Sequence, residues 1–251
     1  MQSGARRPAV RRWGGIARRA RLSVCVGLTV LAPVATAQTI LDARYIEPKT
    51  RYAHAVLGDD IEHGALELEI EGTAQRTIIR LPKDRVFEDT EPRVVDVDGD
   101  GAPEVVVVEA HQNQGARLAV YDAAGLVVAT PYIGRRNRWL APIGIADMDG
   151  DGAVELAYID RPHLAKMLRI WRFKDGALTQ IASLEGLTNH RIGERDIAGG
   201  LRNCGKGPEM VVARADWQRL MAITFDGTSL RGRDIGPHGG RADFAAALAC
   251  E

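Results

Sequence analysis

The sequence lacks the short motifs that mark common catalytic and nucleotide-binding sites. It has no Gly-x-Ser-x-Gly, no His-Glu-x-x-His and no complete Gly-x-x-x-x-Gly-Lys-Ser/Thr phosphate loop. Helical periodicity is nearly absent too, apart from a short stretch at residues 242–249. These absences disfavour the best-known hydrolase classes and favour an all-β protein that binds rather than catalyses.

A long apolar run is also missing, because the longest one is too short for a permanent membrane span. Leu22–Val34 follows seven arginines and precedes the small residues Ala35-Thr36-Ala37. This order predicts a secretory signal peptide over residues 1–37 and a mature domain over residues 38–251. An uncleaved anchor is the alternative. We therefore expect a periplasmic or secreted protein with no stable membrane span after cleavage.

An excess of positive charge is absent from the predicted mature domain. The whole chain has 33 Lys and Arg and 33 Asp and Glu, and the signal peptide contains seven of the arginines and no acid. Residues 38–251 therefore carry 26 basic and 33 acidic residues. A nucleic-acid partner is not expected for such a domain. A protein, or a polar or anionic ligand of the cell envelope, is the expected partner.

Much of the acid lies in two nine-residue segments whose starts are 51 residues apart. Each has carboxylates at positions 1, 3, 5 and 9 and Gly at position 6. Four such side chains repel one another unless a cation lies among them, and hard oxygen ligands in a flexible loop suit Ca²⁺ better than Mg²⁺. Two structural calcium sites are predicted, with the position-7 carbonyl as a further ligand. The predicted ligands are Asp96, Asp98, Asp100, Ala102 and Glu104, and Asp147, Asp149, Asp151, Ala153 and Glu155.

These segments are not EF-hands, because that loop ends in a bidentate Glu at position 12. Val107 and Tyr158 occupy that position here. Apolar runs typical of buried strands follow each segment, and shorter extended runs precede it. The pattern predicts two calcium-clamped β-hairpins. Solvated Asp/Gly turns that bind nothing are the alternative.

Four units of four short strands can be aligned on these loops, with turns rich in Gly, Asp and Asn. The pattern predicts a small β-propeller of about four blades, each with four antiparallel strands. A β-sandwich is the alternative. We expect Ile40–Lys49 to pair with the last blade and close the ring. The predicted strands are 53–57, 65–71, 75–81 and 85–87; 93–96, 104–109, 117–122 and 126–132; 143–147, 155–160, 167–173 and 178–184; and 193–198, 209–214, 220–225 and 230–235.

The first and fourth units lack the full set of carboxylates. In the fourth, the segment 203–209 aligns on its final Glu but has Cys204 where the cation would bind. Cys204 and Cys250 are the two cysteines of the mature domain, and an exported protein tends to pair such residues. We predict a Cys204–Cys250 disulfide that replaces the metal in this blade. Two buried thiols are the alternative.

The loop-plus-strand unit resembles the FG-GAP, or VCBS-type, repeat of integrin α-subunit propellers and of many exported bacterial proteins. That family's loop reads Asp-x-Asp/Asn-x-Asp-Gly-x-x-Asp. Both segments agree with it except at the last position, where Glu104 and Glu155 replace Asp. The resemblance implies a propeller with bound calcium, and it does not imply a reaction.

The end of the propeller opposite the carboxylate loops collects the second-to-third turns and the links between blades. These segments are rich in Arg, His and Trp, which suit anionic groups, sugar rings or the anchor residues of another protein. A polar surface without a ligand is the alternative. The predicted ligand face consists of His111, Arg138, Trp139, Asp160, Arg161, His163, His190, Arg191 and Trp217.

Two functions fit this sequence. The first is an exported, calcium-clamped β-propeller that serves as a non-catalytic binding or scaffold module of the cell envelope. The second is a hydrolase of phosphoesters or glycans, in which Asp160, His163 and His190 perform acid–base chemistry. No residue spacing requires catalysis, so the first is preferred and no catalytic residue is assigned.

Overall fold

The computed structural model describes Met1 and residues 38–251, so the predicted signal peptide lies outside the described residues. Seventeen β-strands and one α-helix form residues 38–251, which confirms the all-β class. No helix in this part of the chain has the length and apolar character needed to cross a bilayer. The elements are β1 (Ile40–Lys49), β2 (Glu62–Ile70), β3 (Thr77–Arg80), β4 (Arg85–Phe87), β5 (Arg93–Val95), β6 (Glu104–His111), β7 (Gly115–Asp122), β8 (Gly125–Ala129), β9 (Leu140–Ala146), β10 (Val154–Asp160), β11 (Met167–Lys174), β12 (Ala177–Glu185), β13 (Leu187–Thr188), β14 (Gly200–Asn203), β15 (Pro208–Arg214), β16 (Arg219–Phe225), β17 (Leu230–Pro237) and α1 (Arg241–Leu248).

The strands form three antiparallel sheets. The first has the order β1-β2-β4-β6-β7-β8, with β3 also paired to β2 and β5 also paired to β6. The second has the order β12-β11-β10-β9. The third has the order β13-β15-β16-β17, with β14 also paired to β15. The second sheet is therefore a simple meander that matches the predicted third unit, and the third sheet matches the predicted fourth unit from its second strand onward.

The predicted pairing of Ile40–Lys49 with the last blade is wrong. This strand, β1, pairs along its length with β2, from Ile40 opposite Ile70 to Lys49 opposite Glu62. It is a terminal strand of its sheet within the described residues. Pairing with the next strand along the chain closes only a short loop, whereas pairing with the last sheet would close a loop of almost the whole domain. The shorter loop costs less chain entropy.

The first strand of the second unit and the first strand of the fourth unit are each divided into two short strands, which the sequence patterns did not predict. Both β4 and β5 pair with β6, and the chain leaves the sheet between them over residues 88–92. Both β13 and β14 pair with β15, and the chain leaves the sheet over residues 189–199. The predicted strand at 193–198 falls in this excursion, and the one at 53–57 falls in a turn region. Both are wrong, since these segments position buried polar side chains instead of continuing a sheet.

The central strand of each sheet packs against two hydrophobic clusters at once. In β6, Val105 and Val107 face one cluster, and Val106 and Val108 face the next. This alternation follows from the two-residue period of a strand, and it explains why β6 is apolar along nearly its whole length. In β10, Leu156 and Tyr158 belong to one cluster, and Ala157 and Ile159 belong to the next. In β15, Met210 and Val212 belong to one cluster, and Val211 and Ala213 belong to the next. Successive sheets therefore stack face to face.

Helix α1 covers the outer face of the third sheet. Phe244 and Ala247 are buried against Ala198, Val211 and Ala213. The helix was predicted at residues 242–249 and is found at Arg241–Leu248, which confirms it. Directly after it, a disulfide joins Cys250 to Cys204 in the β14–β15 loop, with Cα atoms 5.7 Å apart. The predicted pairing is present, and it fixes the end of the chain to this hairpin.

Replacing both Cys204 and Cys250 by Ser should lower the free energy of unfolding by about 4 kcal/mol. The bridge closes a segment of 46 residues, and the loss corresponds to the chain entropy that it removes from the unfolded state. Urea unfolding of the oxidised wild type and of the double variant measures it. Reductant should destabilise only the wild type, and detection of two free thiols in exported protein by mass spectrometry would refute the bridge.

Candidate metal loops and the opposite ligand face

The two carboxylate loops adopt the same backbone-to-side-chain hydrogen bonds. Asp96 accepts from the backbone N–H of Gly99 at 2.7 Å and of Gly101 at 3.0 Å. The corresponding bonds to Asp147 have the same lengths. The last Glu of each loop accepts from the backbone of the second residue, at 2.9 Å in both. Gly101 and Gly152 adopt φ near +90°, which favours glycine. The loops are therefore two copies of one local structure.

Three carboxylates converge in each loop. Oxygens of Asp96, Asp98 and Glu104 lie within 4.8 Å of one another, and those of Asp147, Asp149 and Glu155 do the same. The third aspartates, Asp100 and Asp151, lie outside these groups and accept from the backbone N–H of the alanine two residues on. Both loops connect the first and second strands of a unit, as predicted. The grouped oxygens form a donor set that fits a hard divalent cation.

The two loops lie at the same end of the domain. Asp98 of the first loop and Asp151 of the second line one cleft of about 320 Å³, together with Arg172 and Phe173 of β11. Both carboxylate loops therefore lie at one end of the domain, as predicted.

The loops differ in how their charge is balanced. Arg172 contacts three acids of the second loop, at 2.5 Å from Asp149, 3.0 Å from Asp151 and 2.6 Å from Glu155. In the described residues no basic side chain forms an ion pair with the acids of the first loop. Burial and the neighbouring aspartates raise the pKa of Glu104 to about 7. The first loop therefore has the greater need of an external cation.

The corresponding loop of the third sheet has no carboxylate group of this kind among the described residues. Its Glu209 pairs with Arg202 at 2.6 Å and with Arg233 at 2.8 Å. The Cys204–Cys250 disulfide joins the same loop. A covalent bond and two arginines therefore stand where the other two hairpins have an acidic cluster.

At the opposite end, five of the predicted ligand-face residues come together. Arg138, Trp139, Arg161 and His163 line a recess of about 30 Å³ with His54 and Leu164, which we call the His/Arg recess. His163 Nε2 lies 3.0 Å from His190 Nδ1, and His190 Nε2 lies 2.9 Å from the carbonyl oxygen of Glu194. Because that carbonyl can only accept, His190 donates through Nε2 and, when neutral, accepts from His163.

The other four predicted residues lie around this group or have structural partners. Arg191 stacks on Trp217, with 4.4 Å between the guanidinium carbon and the ring centroid. His111 lies at the end of β6, 3.3 Å from Asp84. Asp160 is buried and paired with Arg161 at 2.7 Å and Arg169 at 2.9 Å. The structure therefore does not bring the nine residues into one pocket.

Sequence reasoning missed the buried polar residues behind the recess. Glu88 is fully buried, and its Oε1 lies 2.5 Å from His54 Nδ1. The indole of Trp139 donates to the Glu88 carbonyl at 2.8 Å. Glu88 Oε2 and Asn189 Oδ1 are buried without a hydrogen-bond partner. Glu88 directly follows the apolar pair Val86-Phe87, and this was the available signal that an acid lies in the interior.

Burial raises the pKa of two of the acids in this region, Glu62 and Glu88. Burial, and then the charge of Glu88, raise the pKa of Glu62 to about 9. Burial also raises the pKa of Glu88 well above its ordinary value, and burial lowers that of His54 to about 4. Burial therefore disfavours the charged form of both members of the Glu88–His54 pair.

The free energy of unfolding should fall by about 1–3 kcal/mol as the pH rises from 5 to 9. The unfolded chain loses the Glu62 proton near its ordinary pKa, whereas the folded protein holds it up to about pH 9. The contribution of Glu62 to the free energy of unfolding is therefore complete below its pKa in the unfolded chain and decreases above that pKa. The free energy of unfolding of Glu62→Gln, measured by chemical denaturation, should change less with pH than that of the wild type. The control Glu71→Gln, at an exposed position, should behave as the wild type does. Parallel profiles for wild type and Glu62→Gln would contradict the assignment.

Residues 96–158 match the family model described as the FG-GAP-like repeat. The match begins at the first acid of the first loop and ends within β10, so it includes both carboxylate groups. No curated protein matches the chain. The matched segment agrees with the resemblance that the two loops indicate. The chain therefore contains an FG-GAP-like repeat region over residues 96–158.

Proposed function

We propose that this protein is an exported, calcium-clamped β-propeller of about four units that serves as a non-catalytic binding module of the cell envelope. The observation that carries the proposal is the pair of matching loops, each with three converging carboxylates and the same hydrogen bonds. A bound divalent ion would offset the mutual repulsion of these acids and fix each hairpin. Calcium fits best, because the donors are oxygens on flexible loops.

The stacking of the sheets supports the propeller part of the proposal. Each central strand, β6, β10 and β15, contributes to two successive clusters, as the blades of a propeller do when they pack in series. The strands β1 to β3 form the remaining unit and join the first sheet through the β2–β4 contact. The disulfide supports an oxidising location, and with the predicted signal peptide it supports export to the periplasm or the exterior.

Binding is favoured over hydrolysis by the partners of the proposed acid–base residues. Asp160 would have to orient a histidine, but both of its carboxylate oxygens bond to arginines. His163 bonds to His190, which in turn bonds to a backbone carbonyl. The hydrolase alternative therefore has no supporting geometry in the described residues.

Calcium should raise the melting temperature by roughly 3–8 °C at millimolar concentration, because it binds the folded loops and not the unfolded chain. Asp98→Asn and Asp149→Asn should each remove part of this shift. Differential scanning calorimetry with calcium and with chelator measures it. The matched control is Asp122→Asn in the β7–β8 turn, where the aspartate makes similar turn hydrogen bonds outside any carboxylate group. Identical melting curves with and without calcium would refute the metal clamp.

The two loops should also differ in calcium affinity, with the first binding more tightly. Arg172 balances part of the negative charge in the second loop and contacts Asp149, a proposed ligand. Titration calorimetry should resolve a tighter site that Asp98→Asn removes and a weaker site that Asp149→Asn removes. Arg172→Gln should tighten the weaker site. Equal affinities that do not respond to Arg172→Gln would contradict this account.

A further inference from the structure

The arginines without an ion-pair partner are concentrated on the ligand face. In the described chain, the arginines that form no ion pair with an acid within 4.0 Å are Arg51, Arg135, Arg136, Arg138, Arg191 and Arg195. All of these except Arg51 lie in the segments 135–138 and 191–195. The other 15 arginines of residues 38–251 each form an ion pair with an acid. Five of the six arginines without an acidic partner in the described chain therefore lie in these two segments.

The two segments are held close to the His/Arg recess. The backbone N–H of Asn137 donates to the Tyr52 hydroxyl at 3.0 Å, and Arg136 lies over the Tyr52 ring. The backbone N–H of Gly193 donates to the Val56 carbonyl at 3.0 Å. Tyr52 and Val56 flank His54, which lines the recess. Residues 52–56 therefore bring both arginine-bearing segments to one site.

Arg138, which lines the recess, forms no ion pair with an acid in the part of the chain that the structure describes, whereas Arg161, also in the lining, is paired with the buried Asp160. Burial, followed by the charges of Arg138 and Arg136, lowers the pKa of His54 to about 4. Burial, the two neighbouring imidazoles and Lys166 likewise lower the pKa of His163 to about 4. Burial also raises the pKa of Glu88, whose carboxyl group contacts His54. An incoming anion would therefore meet the guanidinium groups of Arg136 and Arg138, neither of which is paired with a carboxylate among the described residues.

The loops that form this face have a strained backbone. Positive φ angles occur at Ala55 (+53°), Asn137 (+55°), Arg161 (+47°), Lys166 (+50°) and Trp217 (+60°). Such angles are unfavourable for residues with a Cβ other than Asn and Asp, and they are frequent at binding sites, where the fold holds side chains in a set orientation. The backbone therefore pre-positions the side chains of this face.

Two large aliphatic side chains are exposed beside the positive charge. Leu164, which lines the recess, is 61% exposed, and Ile192, between Arg191 and Gly193, is 71% exposed. They are the most exposed large aliphatic side chains in residues 38–251. A ligand that combines a carboxylate with apolar side chains would satisfy both the arginines and these residues.

We propose that the His/Arg recess binds a side-chain or terminal carboxylate of an acidic, partly apolar polypeptide segment from a partner protein. The carboxylate accepts from Arg138 and Arg136, and the adjoining apolar side chains contact Leu164 and Ile192. The recess of about 30 Å³ admits only the end of an anionic group, so the rest of the segment lies on the rim. This inference rests on the proposed function as a binding module and identifies the class of its partner.

A polypeptide is favoured over the other anionic ligands. Sugar phosphates and nucleic acid would leave Leu164 and Ile192 without apolar contacts. An extended anionic membrane would be repelled by the excess of acids in residues 38–251, whereas a short segment experiences the local field within about 8 Å. Two separate aliphatic side chains also offer little area for insertion into lipid.

Fluorescence anisotropy in calcium-containing buffer tests the proposal with a short labelled peptide in which Glu alternates with Leu. The matched peptide has Gln in place of Glu. The Glu peptide should bind, more weakly as salt rises from about 20 to about 200 mM, and the Gln peptide should not. Arg136→Gln and Arg138→Gln should each weaken binding roughly fivefold, which corresponds to about 1 kcal/mol. The control Arg231→Gln, at the acidic end, should have no effect.

Two variants and two further probes make the result decisive. Leu164→Ser and Ile192→Ser should each weaken peptide binding without lowering the melting temperature, because both side chains are exposed. Equal binding of the Glu and Gln peptides, or binding unchanged by Arg138→Gln, would overturn the proposal. Binding of inorganic phosphate or of phosphatidylglycerol vesicles without binding of the peptide would also overturn it. If peptide binding fails while the calcium response persists, the partner class is wrong and the calcium-clamped module stands; if the calcium response fails, the proposed function is wrong whatever the peptide does.

Discussion

The structure depends on the repulsion among carboxylates that the sequence places at the bends of successive hairpins. Acids packed within nine residues raise the free energy of the folded loop unless positive charge is supplied. The three equivalent hairpins differ in how far the protein itself balances this negative charge. The first loop has no basic partner in the described residues, the second shares Arg172, and the third has lost the acidic group in favour of a disulfide and two arginines around Glu209. The need for an external ion therefore decreases along the chain.

This series explains how a repeat can retain its fold while its loop changes. The central strand of each sheet is fixed by apolar residues that face two clusters, and that packing does not depend on the loop chemistry. The loop only has to hold the first and second strands together. A divalent ion, an arginine or a covalent bond can each do so, and the stability of the hairpin depends on calcium to a different extent in each case.

The sequence predicted what depends on local patterns. The acidic loops, the helix at the C-terminus and most strands of the second and third sheets follow from spacing and two-residue alternation. The pairing of β1 and the split first strands could not be predicted in the same way, because they depend on loop closure and on where buried polar residues find partners. The His/Arg recess is harder still, since His54, Arg138, His163 and Glu88 are far apart in the sequence and meet only through tertiary contacts.

The distribution of charge gives the domain two distinct ends. Acids gather at one end, where a metal would be held, and unpaired arginines gather at the other, where a partner would bind. The central claim is that each complete carboxylate loop holds one calcium ion. Native mass spectrometry of the mature protein in calcium-containing buffer measures this directly. The account predicts two bound calcium ions per chain, falling to one in Asp98→Asn; a mass without bound calcium in both proteins would contradict it.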